Sequence, residues 1–209
     1  IILFFAGDFL IYRMGWYIDW NPDAPVTTQT TVEGKKIYLD RGNGMEEFEI
    51  RGVDMGIGIP GHFATDYAID KETYLRWFQW IKEMGANTIR VYTIQCEDFY
   101  DAFYEYNVNN DDPLYLLHGL WVNDYVQNSH MDAYDPLFFD TMIDDSRVLV
   151  DVIHGNRSAD LGETNSGRFT KDVSPWVIGY ILGVEWEDVT VVYTDHMEPE
   201  RAGYQGEYM

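Results

Sequence analysis

The chain has 209 residues, enough for one domain with a sizeable hydrophobic core. Its formal net charge of −22 argues against a nucleic-acid partner, because such a surface repels phosphate backbones. A single cysteine, Cys96, excludes an intramolecular disulfide and a cysteine-based metal site, and we expect it to be a buried small residue rather than a nucleophile. Aromatic residues make up 16% of the chain, and their combination with acidic residues favours a neutral carbohydrate ligand.

The first eleven residues are apolar except for Asp8, and Arg13 follows shortly after them. A bilayer span needs about 20 apolar residues, so this stretch is not a complete span. It is either the last turns of a membrane helix or a core segment that pairs with sequence outside the chain. A membrane anchor before this chain would place the protein outside the cell or at the cell surface.

Residues 16–34 contain two prolines and a run of threonines, which predicts an extended linker. We therefore divide the chain into an N-terminal segment with its linker, residues 1–31, and one domain, residues 32–209. The domain opens with a short strand pattern at 32–39. Asp40-Arg-Gly-Asn-Gly44 then predicts a turn.

Strand and helix patterns alternate through the rest of the domain. We predict strands at 48–55, 86–94, 113–121 and 177–184, helices at 70–84, 96–108 and 136–153, a polar loop at 154–174, and a possible short extra strand at 189–193. Such alternation implies right-handed βαβ units and a parallel sheet, which defines an α/β fold.

The last of these strands ends in a carboxylate. The apolar run Val177–Val184 predicts a strand buried on both faces, and Glu185 follows it directly, beside Trp186. In parallel sheets the chemistry lies just past the carboxyl ends of the strands. Glu185 is therefore a candidate general acid. The alternative is that it only starts a loop.

Two earlier strands carry polar residues of interest. Alternation along the second strand puts Ile89 and Val91 on one face and Arg90 on the other. In a central strand Arg90 would need a carboxylate partner, whereas in an edge strand it would contact solvent. His118 and Trp121 lie near the end of the third strand, and His118 is either a hydrogen-bonding group for a sugar or a satisfied core histidine.

Four stretches of the chain together form a recognisable pattern: Gly34-Lys-Lys-Ile-Tyr-Leu-Asp40, Phe48-Glu-Ile-Arg-Gly-Val-Asp-Met-Gly56, Trp80-Ile-Lys-Glu-Met-Gly-Ala-Asn-Thr-Ile-Arg-Val-Tyr92 and Ile178-Gly-Tyr-Ile-Leu-Gly-Val-Glu-Trp-Glu187. In order and spacing over residues 34–187, they resemble retaining glycoside hydrolases of clan A. In the same order, the first stretch is similar to the hairpin that closes the bottom of the barrel, and the second to the first barrel strand. The third is similar to the helix before the second strand together with that strand, and the fourth to the fourth strand. Within this clan, the sequence motifs most resemble those of β-glucanases, β-galactosidases and glucanosyltransferases.

The resemblance implies a (β/α)8 barrel of which about four units are present, acting on a β-linked polysaccharide or oligosaccharide without a metal or cofactor. Glu185 would be the acid/base, and Arg90 would orient a nucleophilic glutamate that lies outside the chain. The residues that would contact substrate are Asp54, Tyr92, His118, Trp121 and Trp186. The rest of the barrel would come from the same polypeptide or from a partner.

One departure from the family pattern supports a second hypothesis. The clan usually has an asparagine just before the acid/base residue, but Val184 occupies that position here. The alternative is a non-catalytic carbohydrate-binding or scaffold barrel of a membrane-associated protein that processes polysaccharides. No HExxH or GxSxG motif occurs, so zinc-protease and serine-hydrolase chemistry lack support.

Overall fold

The computed structural model describes residues 2–14, 16, 29–123, 127–128, 132–160 and 166–197. In chain order the helices are α1 (Ile2–Asp8), a π-helix (Phe9–Arg13), a 3₁₀ turn (Ala64–Asp66), α2 (Lys71–Glu83), α3 (Glu97–Val108), α4 (Pro136–Ile153), a second 3₁₀ turn (Ser174–Trp176) and α5 (Asp188–Met197). The strands are β1 (Thr30–Glu33), β2 (Lys36–Asp40), β3 (Met45–Glu47), β4 (Gly52–Asp54), β5 (Thr88–Val91), β6 (Tyr115–Trp121), β7 (Arg157–Asp160), β8 (Ser166–Phe169) and β9 (Val177–Val184).

Four of these strands form the central sheet, in the spatial order β4-β5-β6-β9. All three pairings are parallel, and α2, α3 and α4 connect the strands along the chain. The predicted alternation and the α/β fold with a parallel sheet are therefore confirmed. The carboxyl ends of all four strands meet at one edge of the sheet.

Helix α2 shows how the sequence sets the bounds of an element. The side chain of Asp70 accepts a hydrogen bond from the Thr73 backbone N–H at 2.8 Å, which satisfies one of the free donors at the start of the helix. Tyr74 and Phe78 are buried at helical spacing. Gly85 takes a left-handed conformation, φ +84°, just after the last turn, so the predicted cap and stop are both confirmed.

The hydrophobic core lies between the sheet and its helices. Ile89 and Val91 of β5 are fully buried, as the alternation predicted, and they belong to the same core as Phe78 of α2 and Phe99 and Phe103 of α3. Phe99 and Phe103 are stacked at 5.8 Å. The helices thus cover one face of the sheet, and the opposite face carries Arg90.

A three-stranded antiparallel sheet, β1-β2-β3, packs near the amino ends of the parallel strands. Leu39, Phe48, Tyr115 and Ile178 form a separate buried cluster there, with the Phe48 and Tyr115 rings edge to face at 5.2 Å. The strand pattern predicted at 32–39 is two strands, because a turn at Gly34 pairs β1 with β2, and residues 30–31, assigned to the linker, already belong to β1. The part of the predicted linker before Gln29 lies almost entirely outside the described residues.

Two further predictions of secondary structure are wrong. The segment 154–174 is not all loop, since β7 and β8 form an antiparallel hairpin within it. Residues 189–193 belong to helix α5 rather than to a strand. In α5, Thr190 and Thr194 are buried one helical turn apart, and the Thr194 hydroxyl accepts a hydrogen bond from the Ala133 N–H at 2.8 Å, so tertiary contacts outweigh the β-branched composition.

Strand β9 has the predicted bounds but not the predicted burial. Ile178 and Val184 are buried, whereas Tyr180 and Leu182 are 44% and 67% exposed. Among the described residues β9 pairs only with β6, so it is an edge of the sheet. A continuous apolar sequence in β9 therefore does not mean that both faces of this strand are buried.

The N-terminal segment contacts the β7-β8 hairpin. Arg168 of β8 forms an ion pair with Asp8, and its guanidinium lies over the ring of Tyr12, 4.0 Å from the centroid. None of the helices in the described part of the chain is long and apolar enough to span a membrane.

Candidate active site at the carboxyl ends of the parallel strands

The face of the sheet opposite the helices carries most of the candidate residues. Asp54 is paired in register with Arg90, and Arg90 with Leu117, so their side chains share this face. Alternation along β6 then places Trp121 on the same face, and Trp121 is in register with Val184. Glu185 follows at the same edge of the sheet.

Arg90 has the carboxylate partner that its position in a central strand predicted. Its Nη1 lies 2.7 Å from Oδ2 of Asp54, and the two side chains are 34% and 55% exposed. The pair is therefore accessible from solvent. It places a cation and a carboxylate side by side where a ligand at the strand ends would meet both.

Tyr92 and Trp121 form an aromatic pair next to this ion pair. Their ring centroids are 5.9 Å apart, with 54° between the planes, and both side chains are partly buried. A Cβ atom at Gly56 would lie only 2.8 Å from the Tyr92 hydroxyl, so the glycine leaves room for that ring. Partly exposed aromatic faces suit the apolar face of a sugar ring.

Close packing between strands fixes the backbone beneath these rings. A Cβ atom at Gly119 would lie 2.7 Å from Tyr92 Cα and 2.7 Å from Val184 Cγ2, distances that real Cβ atoms do not reach. Gly119 is thus required for the approach of β5 and β9 to β6. Val184 is buried against this point.

Glu185 is exposed and has a left-handed backbone, φ +55°. This conformation is unfavourable for a residue with a Cβ atom. The side chain of Gln127 stabilises it, because its Nε2 donates to the Glu185 carbonyl at 3.3 Å and its Oε1 accepts from the Glu187 N–H at 2.8 Å. Gln127 is fully buried.

Gln127 is a functional candidate that the sequence did not reveal. It lies in the polar and aromatic stretch after β6, where no periodic pattern separates an amide that binds backbone from one that faces solvent. Only its contact with residues far along the chain identifies it.

Trp186 stacks on Phe138 of α4, with ring centroids 5.3 Å apart and planes nearly parallel, at 8°. It also packs over Gly183, whose φ is +77° and where a Cβ atom would lie 2.1 Å from the indole Nε1. The side chain remains 39% exposed. Trp186 therefore offers a fixed, partly open aromatic surface beside Glu185.

His118 is a core histidine, and the prediction that it contacts substrate is not supported. It is fully buried, with its Nε2 2.8 Å from the Tyr100 hydroxyl and its Nδ1 2.9 Å from the Gly119 carbonyl oxygen. The carbonyl can only accept, so Nδ1 carries the proton and Nε2 accepts from Tyr100. Burial lowers the pKa of His118 to about 4, so the ring is neutral near pH 7.

A cleft of about 280 Å³ opens beside the ends of β5 and β6. Its lining includes Thr93, Trp121, Asn123 and, from α4, Asp145. Asp145 is half-buried, and burial followed by the neighbouring charge of Asp144 raises the pKa of its carboxyl group. The cleft therefore combines an aromatic ring with hydroxyl, amide and carboxyl groups, as in many sites for small polar ligands.

Other chemistries find less support in the described residues. Cys96 is partly buried, its thiol lies 3.7 Å from the Ile69 carbonyl oxygen, and burial raises its pKa, which is the opposite of what a nucleophile needs. No group of three His, Cys, Asp or Glu side chains in the described part of the chain is placed to hold a metal ion.

Gly56-Ile-Gly-Ile-Pro-Gly61 has the glycine spacing of a dinucleotide-binding loop. Such a loop opens directly into a helix whose N-terminus binds the pyrophosphate. Here a 3₁₀ turn comes first and α2 begins only at Lys71, so this pattern does not form a phosphate site. The absence of a side chain at Gly56 instead leaves room for the Tyr92 hydroxyl.

Comparison with protein-family models, with curated proteins and with solved structures finds no match. The fold is thus described by its own topology, an α/β arrangement with a four-stranded parallel sheet.

Proposed function

We propose that the chain is part of a retaining glycoside hydrolase or transglycosylase acting on a β-linked polysaccharide or oligosaccharide. In this proposal the four parallel strands are the first half of a (β/α)8 barrel. The observation that supports it most is the position of Glu185, an exposed carboxylate directly after the fourth of four parallel strands whose spatial order follows the chain. Active sites of (β/α)8 barrels lie at this end of the strands.

Glu185 acts as the acid/base in the proposed reaction. It gives its proton to the glycosidic oxygen as the bond from that oxygen to the anomeric carbon breaks, while a second glutamate, outside the 209 residues, attacks the anomeric carbon. In the second step a water molecule or an acceptor sugar attacks the same carbon. Glu185 takes the proton of that hydroxyl, and the second glutamate leaves.

The other groups on this face bind and orient. Arg90 contributes positive charge near the attacking carboxylate, and in the described residues its partner is Asp54. Tyr92, Trp121 and Trp186 present aromatic surfaces to sugar rings. Gln127 holds the loop that carries Glu185, so it is a positioning residue rather than a catalytic one.

A second candidate is a carbohydrate-binding or scaffold barrel without turnover. Val184 favours it, since a buried valine cannot make the hydrogen bond to the sugar 2-hydroxyl that the family's asparagine would make. The same aromatic groups would then serve binding alone.

The stereochemistry of hydrolysis tests the hydrolase proposal. The full-length protein is incubated with aryl β-glucosides and β-galactosides and with β-linked oligosaccharides, and proton NMR identifies the first anomer formed. Retention, seen as an initial β-anomer, is expected from two carboxylates acting in turn. Initial α-anomer would overturn the mechanism, and saturable oligosaccharide binding without any hydrolysis or transfer would favour the scaffold.

A further inference from the structure

The helical segment Ile2–Arg13 exposes an unusual amount of apolar surface. Leu3, Phe4, Phe5 and Phe9 are 89%, 73%, 65% and 55% exposed. Isolated apolar side chains on a surface need no explanation, but adjacent large ones mark a contact site. This feature is independent of the groups at the strand ends and of the function proposed for them.

The distribution of these side chains indicates what covers them. Consecutive residues of an α-helix point about 100° apart, so Leu3, Phe4, Phe5 and Ala6 point to all sides of α1, and all four are exposed. A partner protein with a flat surface or a groove would cover one side of such a helix. A helix that is apolar all round is buried either in the interior of a large protein or in hydrocarbon, and acyl chains can surround it without a matching surface.

The other end of the segment is polar and attached to the domain. Arg168 forms an ion pair with Asp8 and lies over Tyr12, and the Arg168 backbone N–H donates to the Glu97 carboxylate at 2.7 Å. The one carboxylate of the segment is thus neutralised by a cation of the folded domain. Apolar residues therefore lie at the start of the segment and its contacts with the domain lie toward its end.

The residues at the end of the segment suit the interface between lipid and water. Tyr12, Arg13 and Trp16 follow the apolar part, and Trp16 is 61% exposed. Tyrosine and tryptophan are enriched at the level of lipid head groups, and arginine can extend its guanidinium to the same level.

We propose that Ile2–Arg13 docks the domain on an electrically neutral lipid surface, with Leu3, Phe4, Phe5 and Phe9 in the hydrocarbon region. The net charge of −22 determines the lipid class, because an acidic body is repelled by anionic head groups but not by zwitterionic ones. The expected partner is therefore a bilayer rich in zwitterionic phospholipid.

Flotation with lipid vesicles tests the proposal. The full-length protein is mixed with phosphatidylcholine vesicles and centrifuged through a density gradient, with the double variant Phe4→Asp/Phe5→Asp in parallel. We expect the chain to float with the vesicles and the variant to bind more than about 100-fold more weakly, since two phenylalanines lose their burial in hydrocarbon. The matched control is Val191→Asp/Val192→Asp on α5, which changes the charge equally at side chains that are 50% and 57% exposed, and we expect it to bind like the unchanged chain.

Three outcomes would overturn the proposal. The first is equal flotation of the two double variants. The second is no flotation of the unchanged protein, and self-association that Phe4→Asp/Phe5→Asp abolishes in light scattering would then assign the surface to a second copy. The third is stronger binding to vesicles that contain phosphatidylglycerol at low salt, which would contradict the neutral lipid class. Circular dichroism of both variants checks that the fold is retained.

Discussion

Glu185 illustrates how one residue depends on contacts far along the chain. Its left-handed backbone costs on the order of 1–3 kcal/mol for a residue other than glycine, and the buried amide of Gln127 bonds the carbonyl of Glu185 and the N–H of Glu187. No hydrogen bond or ion pair joins this carboxylate to another of the described residues, so the backbone conformation sets its direction. Such local strain at a strand end is typical of functional sites.

Arg90 is expected to matter for activity more than for stability. The ion pair with Asp54 is partly exposed, so replacing Arg90 by Gln should lower the free energy of unfolding by less than about 1 kcal/mol. Loss of a cation that stabilises charge in the reaction should lower kcat/KM by about 100-fold or more. Urea unfolding and kinetics measure the two effects.

The control for Arg90 is Arg147→Gln, which removes a similar ion pair with Asp144 on the exposed surface of α4. It should leave both readouts nearly unchanged. If the Arg90 and Arg147 variants were equally active, Arg90 would have no role in the proposed reaction.

His118 should make the domain less stable as the pH falls. Its pKa is about 4 in the folded chain and near 6.5 when unfolded, so between these values protons bind to the unfolded state first. The free energy of unfolding should therefore fall by about 1 kcal/mol from this group between pH 7 and pH 5.5, and on the order of 3 kcal/mol by pH 4.

Urea unfolding of the unchanged chain and of His118→Gln at pH 7 and pH 5.5 isolates this effect from other groups. The fall in stability should be smaller in the variant, which cannot take up the proton. Parallel pH dependence in both proteins would show that His118 is already protonated, or exposed, in the folded state.

At the scale of elements, the strength of the periodic pattern decided what the sequence could predict. Helix α4 and strand β9 have the predicted bounds, because helical spacing in one and a continuous apolar run in the other are strong signals. The β7-β8 hairpin was missed, since Arg157–Asp160 and Ser166–Phe169 are mostly polar and short. Helix α5 was predicted as a strand from its β-branched residues, a preference that burial of Thr190 and Thr194 overrides.

The junction of β5, β6 and β9 should tolerate no added atom at Gly119. Gly119→Ala would place its Cβ atom within 2.8 Å of two backbone atoms of Tyr92 and 2.7 Å from Val184 Cγ2. We expect a loss of stability of about 1–3 kcal/mol, because the backbone must shift. Thermal or urea unfolding measures it.

Gly179→Ala on the neighbouring strand is the matched control for Gly119→Ala. Its Cβ atom would meet only the flexible end of Leu117 at 3.1 Å, so the cost should be clearly smaller. Equal losses in the two variants would mean that the contact of Gly119 with Tyr92 is not the constraint described.

At the scale of the whole molecule, topology was easier to predict than the roles of side chains. The order of the strands and the shared edge of their carboxyl ends follow from the alternation of strands and helices. The carboxylate partner of Arg90 follows from the place of this residue in a central strand. The burial of His118 and the role of Gln127 depend on contacts between distant parts of the chain, which no local pattern records. The exposure of Tyr180 and Leu182 likewise depends on what lies beside β9.

The most direct test of the proposed function compares two leaving groups with Glu185→Gln in the full-length protein. The substrates are aryl β-glycosides, one with an activated leaving group that needs no protonation and one with a poor leaving group that does. Glu187→Gln, which changes an exposed carboxylate of the same loop, is the control and should keep full activity on both.

If Glu185 supplies the proton, the first step of Glu185→Gln should slow by at least about 100-fold on the poor leaving group and far less on the activated one. Azide should then restore turnover on the activated substrate, because this anion can attack without a general base. Equal loss on both substrates, or activity equal to that of Glu187→Gln, would contradict the role of Glu185 as the acid/base.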